Sequence, residues 1–123
     1  MNENTGDENF IAQSETQMRK GMLVYCVLLL IKDGDVYTSD IIRGLREAEL
    51  IVVEGTLYPL LSRLAKEKLL SYEWKESEQG PPRKYYSLTK RGSELLSELY
   101  RTYRDLHASI KALEKGVKHE RGN

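Results

Sequence analysis

The chain of 123 residues is poor in the residues that usually announce chemistry. It has one cysteine, Cys26, two histidines, His107 and His119, three prolines and a single tryptophan. One cysteine excludes an internal disulfide framework and a thiolate zinc cluster within one chain. The histidines have no Cys, Asp or Glu at metal-ligand spacing around them, so neither a metal nor a cofactor is expected. No phosphate loop, nucleophile elbow or paired carboxylate occurs, which argues against the common enzyme classes. Long hydrophobic runs are missing too. The longest, Met22 to Ile31, is closed by Lys20 on one side and by Lys32 and Asp33 on the other, short of the ~20 residues a membrane helix needs. The first ten residues carry acids where a secretory signal needs a basic start, so a cytoplasmic protein is expected. Net charge is absent as well: 19 basic and 19 acidic residues cancel, which taken whole argues against a nucleic-acid partner.

That cancellation is an average. Residues 1–16 hold four acids and no Lys or Arg, whereas residues 54–92 hold eight basic and five acidic residues. A basic middle third is compatible with phosphate contact. With 40% hydrophobic and 31% charged residues, the remainder reads as one globular domain.

Residues 1–12 show no periodicity and read as a flexible leader. Ser14-Glu15-Thr16-Gln17 fits a capping box, predicting a helix from Glu15 to Lys32. Its second half is apolar all round and needs cover on every side, for which a partner subunit is the candidate. Asp33-Gly34-Asp35 is turn chemistry, after which Thr38 or Ser39 can cap a short helix carrying Ile41, Ile42 and Leu45. Leu50 to Val53 reads as an extended connector. A third helix from Glu54 carries Leu57, Leu60, Leu61 and Leu64 on one stripe, with Pro59, Ser62 and Lys66 opposite and Tyr58 and Arg63 at the edges. Pro59 requires the first turn or a kink. The period then becomes two: Leu70, Tyr72 and Trp74 alternate with polar residues, Lys84 to Leu88 forms a second strand, and Glu76 to Arg83 is a loop stiffened by Pro81 and Pro82. Thr89 caps a last helix running to about Lys115. In it Leu99, Tyr103, Leu106, Ile110, Leu113 and Val117 are spaced 4, 3, 4, 3 and 4, a heptad seam that predicts a helical partner and hence a homodimer.

Three helices and a hairpin in this order predict a mainly α fold with a small β-hairpin, a winged helix-turn-helix plus a long C-terminal dimerisation helix. The expected boundaries are 1–12 for the leader, 13–90 for the DNA-binding domain, 91–117 for the dimerisation helix and 118–123 for a flexible tail. Such a fold lays its third helix in the major groove of double-stranded DNA and its wing along the backbone or in the minor groove. Gly55 would admit the DNA backbone, while Thr56, Tyr58, Pro59, Ser62, Arg63 and Lys66 supply contacts from the helix, and Arg83 and Lys84 from the wing tip. Tyr72 and Trp74 are expected to pack the wing and core, with base stacking as the alternative, and Cys26 to be an inert thiol. Tyr25 and Leu29 join the seam residues as dimer contacts. Tyr25 facing Tyr100 and Tyr103 would either simply fill the interface, the plainer reading, or line a pocket for a small aromatic effector. The same elements would also serve a winged-helix module that binds protein and not DNA.

Two strings sharpen the choice. Gly55-Thr56-Leu57-Tyr58-Pro59-Leu60-Leu61-Ser62-Arg63-Leu64, then Gly80-Pro81-Pro82-Arg83-Lys84-Tyr85-Tyr86-Ser87-Leu88-Thr89 with Gly92 beyond, resemble the PadR family of bacterial transcriptional regulators over about residues 18–92. The resemblance implies a dimeric winged-helix repressor built on its first and last helices, in some members around a pocket for phenolic acids or drugs. The single last helix is similar to the family's smaller branch. Ser39 stands where the family commonly has Tyr in the turn into its second helix, a phosphate-contact position. Val53 stands where it often has Ser. Lys68 stands where a Gly often closes the third helix, at a left-handed cost.

Overall fold

A computed structural model describes residues 5–50 and 54–121. The elements are α1 (Thr5–Ile31), β1 (Val36–Tyr37), α2 (Thr38–Glu47), α3 (Glu54–Lys66), β2 (Leu70–Ser77), β3 (Gly80–Leu88) and α4 (Lys90–Arg121). The strands form one antiparallel sheet in the order β1-β3-β2. This is the expected mainly helical winged helix-turn-helix with a long last helix.

Burial follows the periods. Leu57, Leu60, Leu61 and Leu64 of α3 are buried with Leu23, Val27, Leu28 and Ile31 of α1 and Ile41 and Leu45 of α2, and Leu70 and Tyr86 close this core from the sheet. Helix α2 crosses α1 closely at Gly44, where an added Cβ would lie 2.6 Å from Leu30 Cδ2.

Helix ends and the hairpin carry the differences from expectation. Helix α1 starts at Thr5, so Ser14 lies inside it and residues 5–12, read as a leader, are helical; Asp7 and Glu8 in its first turn suit a helix N-terminus. Tyr37, and neither Thr38 nor Ser39, caps α2: its N–H donates to Asp40 Oδ2 at 3.1 Å. Val36 and Tyr37 form β1 by pairing with Tyr86 and Tyr85, a strand too short to show a period. The hairpin turn is Glu78-Gln79, not an eight-residue loop. Pro81 and Pro82 fall where the register slips between Lys75 and Ser77, a bulge in which their missing N–H groups cost no ladder bond. Pro59 is the sixth residue of α3, beyond the first turn, and cannot donate to the Gly55 carbonyl four residues back.

The end of α3 matches expectation. Lys68 has φ 66°, and the N–H groups of Leu69 and Lys68 donate to the carbonyls of Leu64 and Ala65 at 2.9 and 3.0 Å, the paired bonds of a Schellman motif. Helix α2 ends the same way on Glu49, φ 61°. Thr89 caps α4, accepting from the Gly92 N–H at 3.0 Å while its hydroxyl donates to the Lys68 carbonyl at 2.7 Å. Helix α4 then continues to Arg121, past its expected end, so that 118–121 are helical too. Val53, the connector beyond Leu50, the side chain of Val117 and residues 122–123 lie outside the described residues.

Candidate nucleic-acid interface

The leucine stripe that anchors α3 decides what the helix shows. Tyr58, Pro59, Ser62, Arg63 and Lys66 are exposed on the opposite face, as a 3.6-residue period requires. Gly55 is exposed ahead of them, and a Cβ there would meet nothing within 4 Å. Thr56 is half-buried at the edge of the face. Ser39 is exposed in the first turn of α2.

The wing separates two residues that are adjacent in sequence. Side chains alternate faces along a strand, so Lys84 lies with its register partner Trp74 and with Tyr72, whereas Arg83 lies with Lys75 and Tyr85. Lys84 Nζ is 4.3 Å from the Tyr72 ring centroid and 5.4 Å from that of Trp74. On the other face Arg83 stacks 4.6 Å over Tyr37 and donates to its hydroxyl. Tyr37 also meets the Tyr85 ring at 5.3 Å, and Lys75 Nζ donates to Asp35 Oδ2 at 2.8 Å, a bond that pushes the lysine's pKa up. Arg83, expected beside Lys84 at the wing tip, is therefore part of a brace between β3 and β1. Tyr72 and Trp74 are not core residues: they are 45% and 63% exposed.

A cleft of about 340 Å³ joins the inner wing face to α3. It is lined by Ser62, Ala65 and Lys66 from α3, by Lys68, and by Tyr72, Lys84 and Tyr86 from the wing. Burial, and then the neighbouring Tyr72 and Tyr58, raise the pKa of the Tyr86 hydroxyl, which stays a neutral donor. Three lysines and no acid line this space, which suits a polyanion. Lys68, Tyr72 and Tyr86 are not expected at a contact surface from the sequence, which makes Lys68 the end of the third helix and Tyr72 a packing residue, because only folding brings the end of α3 against the hairpin.

Helices α1 and α4 make a second surface. The Tyr25 and Tyr103 rings stack at 5.7 Å, and a space of about 410 Å³ beside them is lined by Tyr25, Leu29, Leu96, Ser97, Tyr100 and Arg101. Two of the three expected pocket tyrosines line it, and Tyr103 instead backs Tyr25. Along the heptad seam Leu99 packs on the chain's own core, but Tyr103, Leu106, Ile110 and Leu113 are exposed. Cys26 is half-buried, and burial raises its thiol pKa. Among the described residues no cluster of His, Cys, Asp and Glu could hold a metal, and no helix is long and apolar enough to cross a membrane.

Residues 27–98, more than half the chain, match the family model described as Transcriptional regulator PadR-like family. A PadR-like transcription factor of known structure from Bacteroides fragilis is 55% identical, over 82% of this chain and 98% of that one, with a TM-score of 0.69. A PadR family transcriptional regulator from Eggerthella lenta is 28% identical over 88% of this chain and 95% of that one, with a TM-score of 0.80. Bacillus subtilis PadR in complex with operator DNA is 25% identical, over 64% of this chain and 45% of that one, with a TM-score of 0.59.

Proposed function

This chain belongs to the PadR-like family of transcriptional regulators, and from that membership we propose that it is a homodimeric repressor binding an inverted-repeat operator in double-stranded DNA. The family is one of regulators and not of enzymes. In this reading α3 enters a major groove in each half-site, with Tyr58, Pro59 and Ser62 near base edges and Arg63, Lys66 and Lys84 on phosphates. Ser39 and Gly55 lie against the backbone. The observation that carries the reading is the basic surface formed by the exposed face of α3 and the adjoining cleft, which share Ser62 and Lys66. The operator complex of Bacillus subtilis PadR supports it by analogy.

The heptad seam of α4, with Tyr25 and Leu29 of α1, would join the two copies. The space beside Tyr25 and Tyr100 would then admit a small flat aromatic effector that releases the operator, since such a ligand needs an apolar lining with a few polar groups.

The test is the mobility of a labelled duplex from upstream of the chain's own gene, read against salt. The logarithm of affinity should fall linearly with the logarithm of salt concentration. A chain that shifts no duplex even at low salt is a winged-helix module for protein partners, and the proposal fails. A panel of planar aromatic compounds that leaves both the melting temperature and operator affinity unmoved removes the effector from the scheme.

A further inference from the structure

The most exposed ring of the wing has no part in that scheme. Trp74, the fifth of the eight residues of β2, is 63% exposed. It shares a strand face with Tyr72 and with Leu70, which is buried. This face therefore begins in the core and runs outward into an aromatic surface. On the opposite face the Tyr37–Arg83, Tyr37–Tyr85 and Asp35–Lys75 contacts tie the hairpin to β1 and the turn before it. The wing is braced behind, and in front two exposed rings carry one lysine. Lys84 sits over both front rings, which confines its ammonium to this face. The front adjoins the cleft holding Lys66 and Lys68.

We infer that Trp74, Tyr72 and Lys84 form a platform for the sugar-phosphate backbone of the duplex flanking the α3 contact, with the indole stacked on a deoxyribose edge and the lysine on the neighbouring phosphate. This rests on the chain being a DNA-binding regulator, and adds an uncharged contact that carries affinity. The occupant follows from charge and continuity: the cleft offers three lysines and no acid, and it is shared with the exposed face of α3. A flat ring with one polar edge suits a surface that is apolar on the sugar and wet at the phosphate.

Trp74 is the chain's sole tryptophan, so its emission reports this position alone. The full chain is titrated with an end-labelled duplex from upstream of its own gene, and with a random duplex at low salt. Label anisotropy reads binding independently of the tryptophan. Trp74 emission should change in proportion to anisotropy. Trp74→Ala should weaken binding about tenfold, in keeping with an aromatic stacking contact, and Trp74→Phe should recover most of that loss. The salt slope should stay unchanged, because an indole releases no counterion, whereas Lys84→Ala should lower it by about one. Saturating anisotropy with unmoved Trp74 emission, or a Trp74→Ala chain that binds as tightly as the parent, overturns this inference and leaves the proposed function standing. Equal affinity and equal quenching by a single strand overturn the duplex as occupant. No anisotropy change with either duplex overturns both. The parent chain's emission decides the matter even if Trp74→Ala folds poorly.

Discussion

Gly55 and Gly92 put one residue type to two opposite uses. A Cβ at Gly92 would overlap the Leu69 carbonyl oxygen, backbone that cannot give way, because Thr89 and Gly92 bring the start of α4 onto the chain just after α3. Gly92→Ala should cost about 1–3 kcal/mol in urea unfolding, the range for forcing an extra carbon into a packed site; a neutral result would mean the two segments are not in contact. At Gly55 there is open space. Gly55→Ala should therefore stabilise α3 by about 0.5–1 kcal/mol, the helix preference of alanine over glycine, and yet weaken duplex binding. An unchanged affinity would show that no DNA backbone approaches there. The left-handed residues give a third case. Glu49→Gly should raise stability by about 1 kcal/mol by removing Cβ strain at φ 61°, without touching the cleft.

Among the elements, the hairpin divides its charges by face. Arg83 is tied to Tyr37 across 46 residues of chain, and Lys84 faces α3. Arg83→Ala should lower stability by about 1 kcal/mol through the lost stacking and leave the salt dependence of DNA binding near that of the parent. A loss of one unit of salt slope with stability intact would make Arg83 a phosphate contact instead. On α3, Tyr58 sits toward the leading end of the exposed face, and Ser62 lies one turn further along it. Tyr58→Ala or Ser62→Ala should change the ratio of operator to random-duplex affinity by roughly 1–3 kcal/mol, the worth of a good base contact. Equal losses on both duplexes would reassign them to the backbone.

Across the whole molecule, α4 runs for 32 residues, well past the turns that pack on the core. Its first turns pack on the core through Leu95, Leu96 and Leu99, and beyond them the seam carries Leu106, Ile110 and Leu113 into solvent, the last 63% exposed. Burying such side chains against a second copy contributes on the order of 1.5–3 kcal/mol each before association costs. Replacing Leu106 and Ile110 with Asp puts charge into that seam and should yield monomers that keep the fold. A double variant that still sediments as a stable dimer would exclude α4 as the joint.

What the sequence determined by itself is what a local period can encode. The leucines of α3 specify both its buried stripe and, by default, its exposed face. Period two specifies that a hairpin follows α3, though not where it turns, and Thr89 specifies the start of α4. Tertiary structure alone decided which side of the hairpin meets α3, because alternation sorts Arg83 from Lys84 without saying which looks toward that helix. It also decided that Val36-Tyr37 would be a strand, since two residues acquire that state only by pairing with Tyr85 and Tyr86. Trp74 escaped for the same reason: an indole in an alternating strand is equally suited to a core or a surface. Its exposure follows from where the core ends, a property of the packed chain and not of any segment in it.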